Sequence, residues 1–167
     1  MSIRSAQRSD VPDIRDVLYR SFYQTFRTEK NHDSLTSYLD SLNEHAIEAM
    51  MDEVDTRFLV MEEEGKIVGM SQIVNESFGM DSGDCMKIER LYIDPDRLGK
   101  GSGKIMMEHI IQLAKDEEHQ WLWLLVLRSN FRGVRFYERF GFKAFDTSPG
   151  KFVEDKEIDL WMRMPLT

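Results

Sequence analysis

The chain reads as one mixed α/β domain (α+β in its segregation of elements), and three features of the sequence predict that class. Short strand-like apolar runs alternate with longer segments of helical periodicity from end to end. Trp121 to Leu127 is almost continuously apolar, the pattern of a central strand covered on both faces. Between an extended stretch ending at Ile93 and a strongly helical one lies Asp-Pro-Asp-Arg-Leu-Gly-Lys-Gly-Ser-Gly-Lys, residues 94–104, a strand–turn–helix transition. A length of 167 residues suits one domain with a real core. No linker or repeat divides it, so residues 1–167 are expected to form a single domain.

Each element has its own signal. Ile3 to Ala6 reads as a short strand. Ser9 or Asp10 can cap the following helix, which has Pro12 in its first turn and a stripe of Ile14, Val17, Leu18, Phe22 and Phe26. A second helical region breaks near Asn43. Leu35, Tyr38, Leu39 and Leu42 form one apolar face before the break; Ala46, Ile47, Met50, Met51 and Val54 form another after it. Arg57 to Glu62 and Ile67 to Asn75 read as strands joined by a Glu64-Gly65-Lys66 hairpin turn. Phe78 to Asp84 is a polar, glycine-bearing loop, and Met86 to Ile93 the next strand. The helix after the glycine loop carries the adjacent stripes Met106, Ile110, Leu113 and Met107, Ile111, Ala114, so it buries a broad face. Asn130 to Phe140 is a short helix closed by Gly141. Phe142 to Phe145 and Glu157 to Met164 are the last strands, with Ser148-Pro149-Gly150 punctuating the connection between them.

The glycine loop is the most informative segment. Gly99, Gly101 and Gly103 leave main-chain N–H groups uncovered where a helix begins, and a helix start favours anions, phosphate above all. Arg97, Lys100 and Lys104 gather there although the chain's formal net charge is -8. The P-loop pattern fails, because Leu98 and Ile105 stand where it needs glycine and Ser or Thr. The dinucleotide fingerprint fails at Lys104, where its third glycine belongs. An isolated glycine cluster would be a simple helix cap; the flanking strand, the helix and the local charge reversal point instead to an anion site.

The remaining composition narrows the partners. An acidic total disfavours nonspecific nucleic-acid binding and suits a cationic substrate. No apolar run approaches the ~20 residues needed to cross a bilayer. Met1-Ser2-Ile3-Arg4 soon meets Asp10 and Asp13, without an apolar signal core. A single cysteine, Cys85, fits a reducing cytoplasm, the expected location. His32, His45, His109 and His119 show no ligand spacing, so no metal is expected; His109 and His119 are expected at the surface.

Two blocks then align. Ile88-Glu89-Arg90-Leu91-Tyr92-Ile93 leads into Leu98-Gly99-Lys100-Gly101-Ser102-Gly103, and further on comes Asn130-Phe131-Arg132-Gly133-Val134-Arg135-Phe136-Tyr137-Glu138-Arg139-Phe140-Gly141-Phe142. The first resembles the Arg/Gln-x-x-Gly-x-Gly/Ala pyrophosphate loop of the GNAT N-acetyltransferase superfamily, the second its Asn-x-x-Ala-x-x-x-Tyr helix. The chain departs at Leu98, where the family has Arg or Gln, and at Gly133, where it has Ala. The resemblance implies a central mixed, mostly antiparallel twisted sheet of about six to seven strands with helices on both faces. A splayed strand pair in it would hold acetyl-CoA. The Ile-Glu-Arg-Leu-Tyr-Ile and Phe-Tyr-Glu-Arg-Phe-Gly-Phe segments and Ser-Phe-Tyr-Gln-Thr-Phe near the N-terminus are similar to bacterial polyamine acetyltransferases acting on spermidine and spermine.

On this reading an amine attacks acetyl-CoA directly in a ternary complex. An aliphatic ammonium with pKa near ~10 must first lose a proton. Glu89 is the candidate base, directly or through a water, on a strand face shared by residues 87, 89, 91 and 93; the alternative is a partly exposed acid paired to a nearby Arg or Lys. The resemblance implies that main-chain groups of Leu91, Tyr92 and Ile93 grip the thioester and pantetheine. It likewise implies that Leu98, Gly99, Lys100, Gly101, Ser102, Gly103 and Lys104 bind the diphosphate, and that Tyr137 is the acid at the sulfur. Asn130 caps its helix, contacts pantetheine, or both. The acceptor pocket is expected from the first two helices and the Phe78–Asp84 loop, with Phe22, Tyr23, Phe26, Tyr38, Glu76 and Asp84 as lining. The expected partners are acetyl-CoA and a small cationic amine, with neither nucleic acid nor membrane, and a homodimer allowed. The competing readings are a protein N-terminal or lysine acetyltransferase and a noncatalytic acyl-CoA sensor.

Overall fold

The computed structural model describes residues 1–28, 31–150 and 157–167. Strand β1 (Ser2–Ser5) leads through a 3-10 turn into α1 (Val11–Phe26), α2 (His32–Ser41) and α3 (Glu44–Met51). Strands β2 (Thr56–Glu63), β3 (Lys66–Asn75) and β4 (Cys85–Ile93) follow, then α4 (Ser102–Asp116), β5 (Trp121–Leu127), α5 (Phe131–Arg139), β6 (Lys143–Pro149) and β7 (Ile158–Pro165). The seven strands form one sheet in the order β1-β2-β3-β4-β5-β7-β6. Every pair is antiparallel except β4 with β5. A parallel pair needs a crossover, and α4 supplies it.

Helices cover both faces, each over its own core. On one side α1 buries Ile14, Val17, Leu18 and Phe22 with Leu35 and Leu39 of α2, Ile47 of α3, and Phe58, Val60 and Met70 of the sheet. Burial of each such side chain stabilises the fold by about 1.5–3 kcal/mol. On the other side Met106, Met107, Ile110 and Ala114 of α4 meet Met86, Ile88, Leu122, Leu124 and Met162. Asn43 divides α2 from α3 by accepting the Ala46 N–H at 2.9 Å, a side-chain N-cap. Glu64 and Gly65, with φ of 51° and 78°, make the two-residue turn between β2 and β3.

Three local expectations are corrected. The Asp10 carboxylate does not cap α1; it turns back to accept the Gln7 N–H at 2.7 Å and two bonds from Arg4, tying β1 to the turn before the helix. Ser148 and Pro149 lie within β6, opposite Asp159 and Ile158, because an edge strand tolerates proline. The side chain of His119 is only 10% exposed, with Nε2 3.4 Å from Glu117.

The register of β4 positions the site. Gln72 of β3 pairs with Arg90 but Ile73 pairs with Ile88, so Glu89 is an extra, bulged residue. The bulge reverses the alternation. Leu91 and Ile93 share the α4 side with Ile88 and Met86, whereas Tyr92 lies on the α1 side and Lys87 pairs with Val74 on that same side. The expectation that residues 87, 89, 91 and 93 share one face is therefore wrong. On β5 the pairing with β4 ends at Ile88 with Leu124, although the strands run on to Ile93 and Leu127. From Glu89 onward the two strands part.

Candidate active site

A cleft of about 720 Å³ runs through this fork, with walls from α1, α2, β4, the glycine loop, α4, β5, α5 and β7. Its phosphate end is built by the chain between β4 and α4. Asp94 accepts the Asp96 N–H at 2.9 Å and opens a 3-10 turn over Pro95–Arg97. Arg20 of α1 grips the same carboxylate at 2.8 and 3.1 Å, fixing the loop to the helix and holding the Asp94 carboxyl below its ordinary range. Gly101 then adopts φ 83° as the N-cap of α4, a left-handed conformation that costs other residues strain. The first amide of the ladder, Ile105 N–H, bonds Gly101 O at 3.1 Å, so those of Ser102, Gly103 and Lys104 stand at the open helix end. At Gly103 a Cβ would come 3.4 Å from the Phe136 ring, so the glycine lets α5 close over the helix start.

The charges and orphaned groups fit a diphosphate. The Ser102 hydroxyl is buried at this end without a hydrogen-bond partner among the described residues. Among the described residues Lys87, Arg90, Arg97, Lys104, Arg132 and Arg139 line the cleft against two carboxylates, Glu89 and Asp159. On a chain of formal net charge -8, that local excess of cations suits an anionic ligand. Arg97 is partly neutralised by Glu63, and Lys104 lies 3.7 Å from Glu108. Arg132 and Arg139 escaped the sequence reading. Their spacing of seven on a helix was the available signal.

Most residues singled out in the sequence meet in this cleft. Leu91, Tyr92, Ile93, Leu98, Gly99, Gly101, Ser102, Gly103, Lys104, Asn130, Glu89 and Tyr137 all line it; Lys100 does not. Ile93 O is taken by the Ser21 hydroxyl of α1 at 2.5 Å. Glu89 sits at the vertex of the fork, and its carboxylate lies 2.7 Å from Lys87 Nζ. Asn130 caps α5, accepting the Gly133 N–H at 3.0 Å. A Cβ at residue 133 would fall 2.6 Å from the Asn130 amide, which explains glycine there. Tyr137 is packed by Phe136 and Phe142, and burial pushes its phenol up to about 12, so it stays protonated at neutral pH.

The far end of the cleft is aromatic. Phe22 meets Phe26, Tyr38 and Tyr92 at ring-centroid distances of 4.5, 5.1 and 5.9 Å. Burial also raises the Tyr92 phenol. Phe22, Phe26 and Tyr38 were expected here, but Tyr23, Glu76 and Asp84 do not line the cleft. The 78–84 loop lies elsewhere: Phe78 packs on Trp121, Trp123 and Phe145, over the part of the sheet that α1 does not reach. Asp159 of β7, nine-tenths buried, was not foreseen. Among the described residues no group of three or more His, Cys, Asp or Glu could hold a metal ion, and no helix is long and apolar enough to cross a membrane.

Known proteins share this architecture. The chain is similar in fold to the PaiA N-acetyltransferase of Thermoplasma acidophilum in complex with coenzyme A, with a TM-score of 0.79 and 20% identity over 99% of each chain. A stretch of 57 residues, 34% of this chain and 38% of the relative, is 37% identical to the spermine/spermidine N(1)-acetyltransferase of Bacillus subtilis (strain 168). Over the same length, 34% of this chain and 36% of the relative, it is 39% identical to the peptidyl-lysine N-acetyltransferase YjaB of Salmonella typhimurium. The model of the acetyltransferase (GNAT) family matches residues 12–142, from α1 through the glycine loop to the end of α5. The chain therefore belongs to the acetyltransferase (GNAT) family and is an acetyl-CoA-dependent N-acetyltransferase.

Proposed function

We propose that the chain acetylates a small cationic amine, with polyamines such as spermidine and spermine first among the acceptors. The observation that carries the reading is the continuity of one cleft. It runs from the start of α4, past Glu89 and Tyr137, to the rings of Phe22, Phe26 and Tyr38. Aromatic faces and carboxylates together suit an alkyl-ammonium chain, the faces by cation–π attraction and the carboxylates by charge. The short likeness to a spermine/spermidine acetyltransferase supports the same class.

Acetyl-CoA supplies the activated acyl carbon and a thiolate leaving group. The protein's part is to place, deprotonate and donate. Main-chain amides of Gly99 and residues 101–104, with the Ser102 hydroxyl, hold the diphosphate. Those of Leu98 and Lys100 are bonded within the turn, to Pro95 O and Arg97 O. Beyond Ile88 the edge of β4 is not paired to β5, which leaves the main-chain groups of Leu91 and the Ile93 N–H to align pantetheine. Those of Tyr92 face β3, and Ile93 O is held by Ser21. Glu89 accepts the ammonium proton, directly or through a water. Tyr137 donates a hydrogen bond to the sulfur. A phenol near 12 is a weaker acid than a thiol near ~8.5, so its share is the hydrogen bond rather than complete proton transfer.

The test is release of free thiol from acetyl-CoA against a panel of polyamines, amino acids, aminoglycosides and lysine peptides. Polyamines should give the highest kcat/KM. The likeness to a peptidyl-lysine acetyltransferase carries the second reading, and turnover confined to peptides would replace the first with it. Binding of acetyl-CoA without turnover of any acceptor would favour a noncatalytic sensor. A homodimer, proposed as allowed, is read from sedimentation of the same preparation.

A further inference from the structure

Lys87 has no part in the transfer step just described, yet it lines the cleft with its side chain only 10% exposed. An ammonium there is costly unless opposite charge or a π face compensates it. Compensation comes from three directions. The Glu89 carboxylate lies 2.7 Å from Nζ and that of Glu76 lies 3.3 Å away. The Trp123 ring, opposite Lys87 in the register, has its centroid 4.9 Å from Nζ. Glu76 also fixes that ring, because its main-chain carbonyl accepts the indole N–H at 2.7 Å. The ammonium is thus held from the end of β3, from β5 and from its own strand.

Glu89, by contrast, is the bulged residue one step beyond the last pair of β4 with β5. A bulge re-aims a side chain, here towards the Lys87 ammonium. We propose that Lys87 is a positioning residue for acetyl transfer: its ammonium, pinned by Glu76 and Trp123, holds the Glu89 carboxylate at the fork of the sheet. The proposal rests on Glu89 being the base. The sign follows from charge. A cation at hydrogen-bond distance favours the carboxylate, so its loss raises the pH at which the base becomes available. Among the described residues the other charges lining the cleft are Arg90 on β4, Asp159 on β7, Arg97 and Lys104 at the loop, and Arg132 and Arg139 on α5. All of them remain in the variants below, so a shift reports Lys87.

The experiment is a pH profile of kcat/KM, by thiol release, with whichever amine of the panel is turned over fastest. Lys87→Met should move the acid limb upward by roughly one pH unit or more. At a fixed pH on that limb its kcat/KM should fall roughly tenfold, the rate equivalent of one unit, and at neutral pH, above the limb, it should change little. Acetyl-CoA affinity should stay at the wild-type value, and Lys87→Arg should restore the limb. Glu76→Gln, at a half-exposed position, loosens the anchor while leaving the Lys87 ammonium itself in place. It should shift the limb the same way by less, and it serves if Lys87→Met does not fold. An unmoved acid limb in both variants, with Glu89→Gln inactive, overturns the role of Lys87 and leaves the base in place. Wild-type turnover by Glu89→Gln would instead remove the base itself.

Discussion

At its glycine-loop end the cleft is made by one segment, residues 98–104 apart from Lys100, which contributes main-chain amides, one buried hydroxyl and a helix start. At the end proposed for the acceptor the wall has Phe22 and Phe26 of α1 and Tyr38 of α2, and Glu89 of β4 and Asp159 of β7 line the same cleft, side chains from four elements far apart in the chain. The first construction depends on backbone conformation and tolerates many side chains. The second depends on which side chains the fold happens to bring together. A family can therefore keep one donor while its acceptors diverge.

If the two ends are separable, substitutions at the acceptor end should alter turnover or amine KM and spare acetyl-CoA affinity. The largest effect is expected from Glu89→Gln, which should lower kcat/KM about a hundredfold or more, the usual worth of a positioned base. Calorimetry with acetyl-CoA on the same variant should match wild type; a joint loss would break the separation. Tyr137→Phe removes one hydrogen bond to a charged leaving group and should lower kcat about ten- to a hundredfold. Unchanged turnover there would refute its role at the sulfur. Asp159→Asn should raise the amine KM by a few-fold to about tenfold, through loss of a charge-assisted contact, with kcat nearly kept. An effect on acetyl-CoA affinity alone would move Asp159 to the other end.

The smallest effect concerns stability at the phosphate end. The Asp94 carboxyl is held low, first by the Arg20 guanidinium, then by the Asp96 N–H. Its contribution is complete above the unfolded carboxyl value near ~3.9 and is lost as pH falls through the lower, folded value. Arg20 is 39% exposed, so solvent screens the pair and its worth is at most about 1 kcal/mol. Asp94→Asn should lower Tm by about 2–4 °C at neutral pH, and the gap should close below the folded value. A gap that persists in strong acid would point to packing rather than charge.

The same division decides what could be read from the sequence. Periodicity carries α1, α4 and the apolar run of β5, and three glycines beside a strand and a helix mark one end of the cleft, because these signals are local. Nothing local announces the bulge at Glu89. It arises from how β3 and β4 pair, and it sends Lys87 to the face opposite Leu91 and Ile93. Asp159 lies in a strand whose alternation reads as ordinary sheet, and only its register beside Leu127 brings it to the fork. The 78–84 loop was assigned to the acceptor pocket by proximity in sequence to β4. In the fold its Phe78 is drawn to Trp121, Trp123 and Phe145, and it covers a different part of the sheet.

The central claim is that the amides of Gly99 and residues 101–104 clasp the diphosphate of coenzyme A. Titration calorimetry with acetyl-CoA tests it on wild type and on Gly101→Val, which places a β-branched residue at φ 83°. Strain of about 1–3 kcal/mol at that position should weaken binding about tenfold or more while the amine end is untouched. No heat with the wild-type protein, or equal affinity in a folded Gly101→Val, would contradict it.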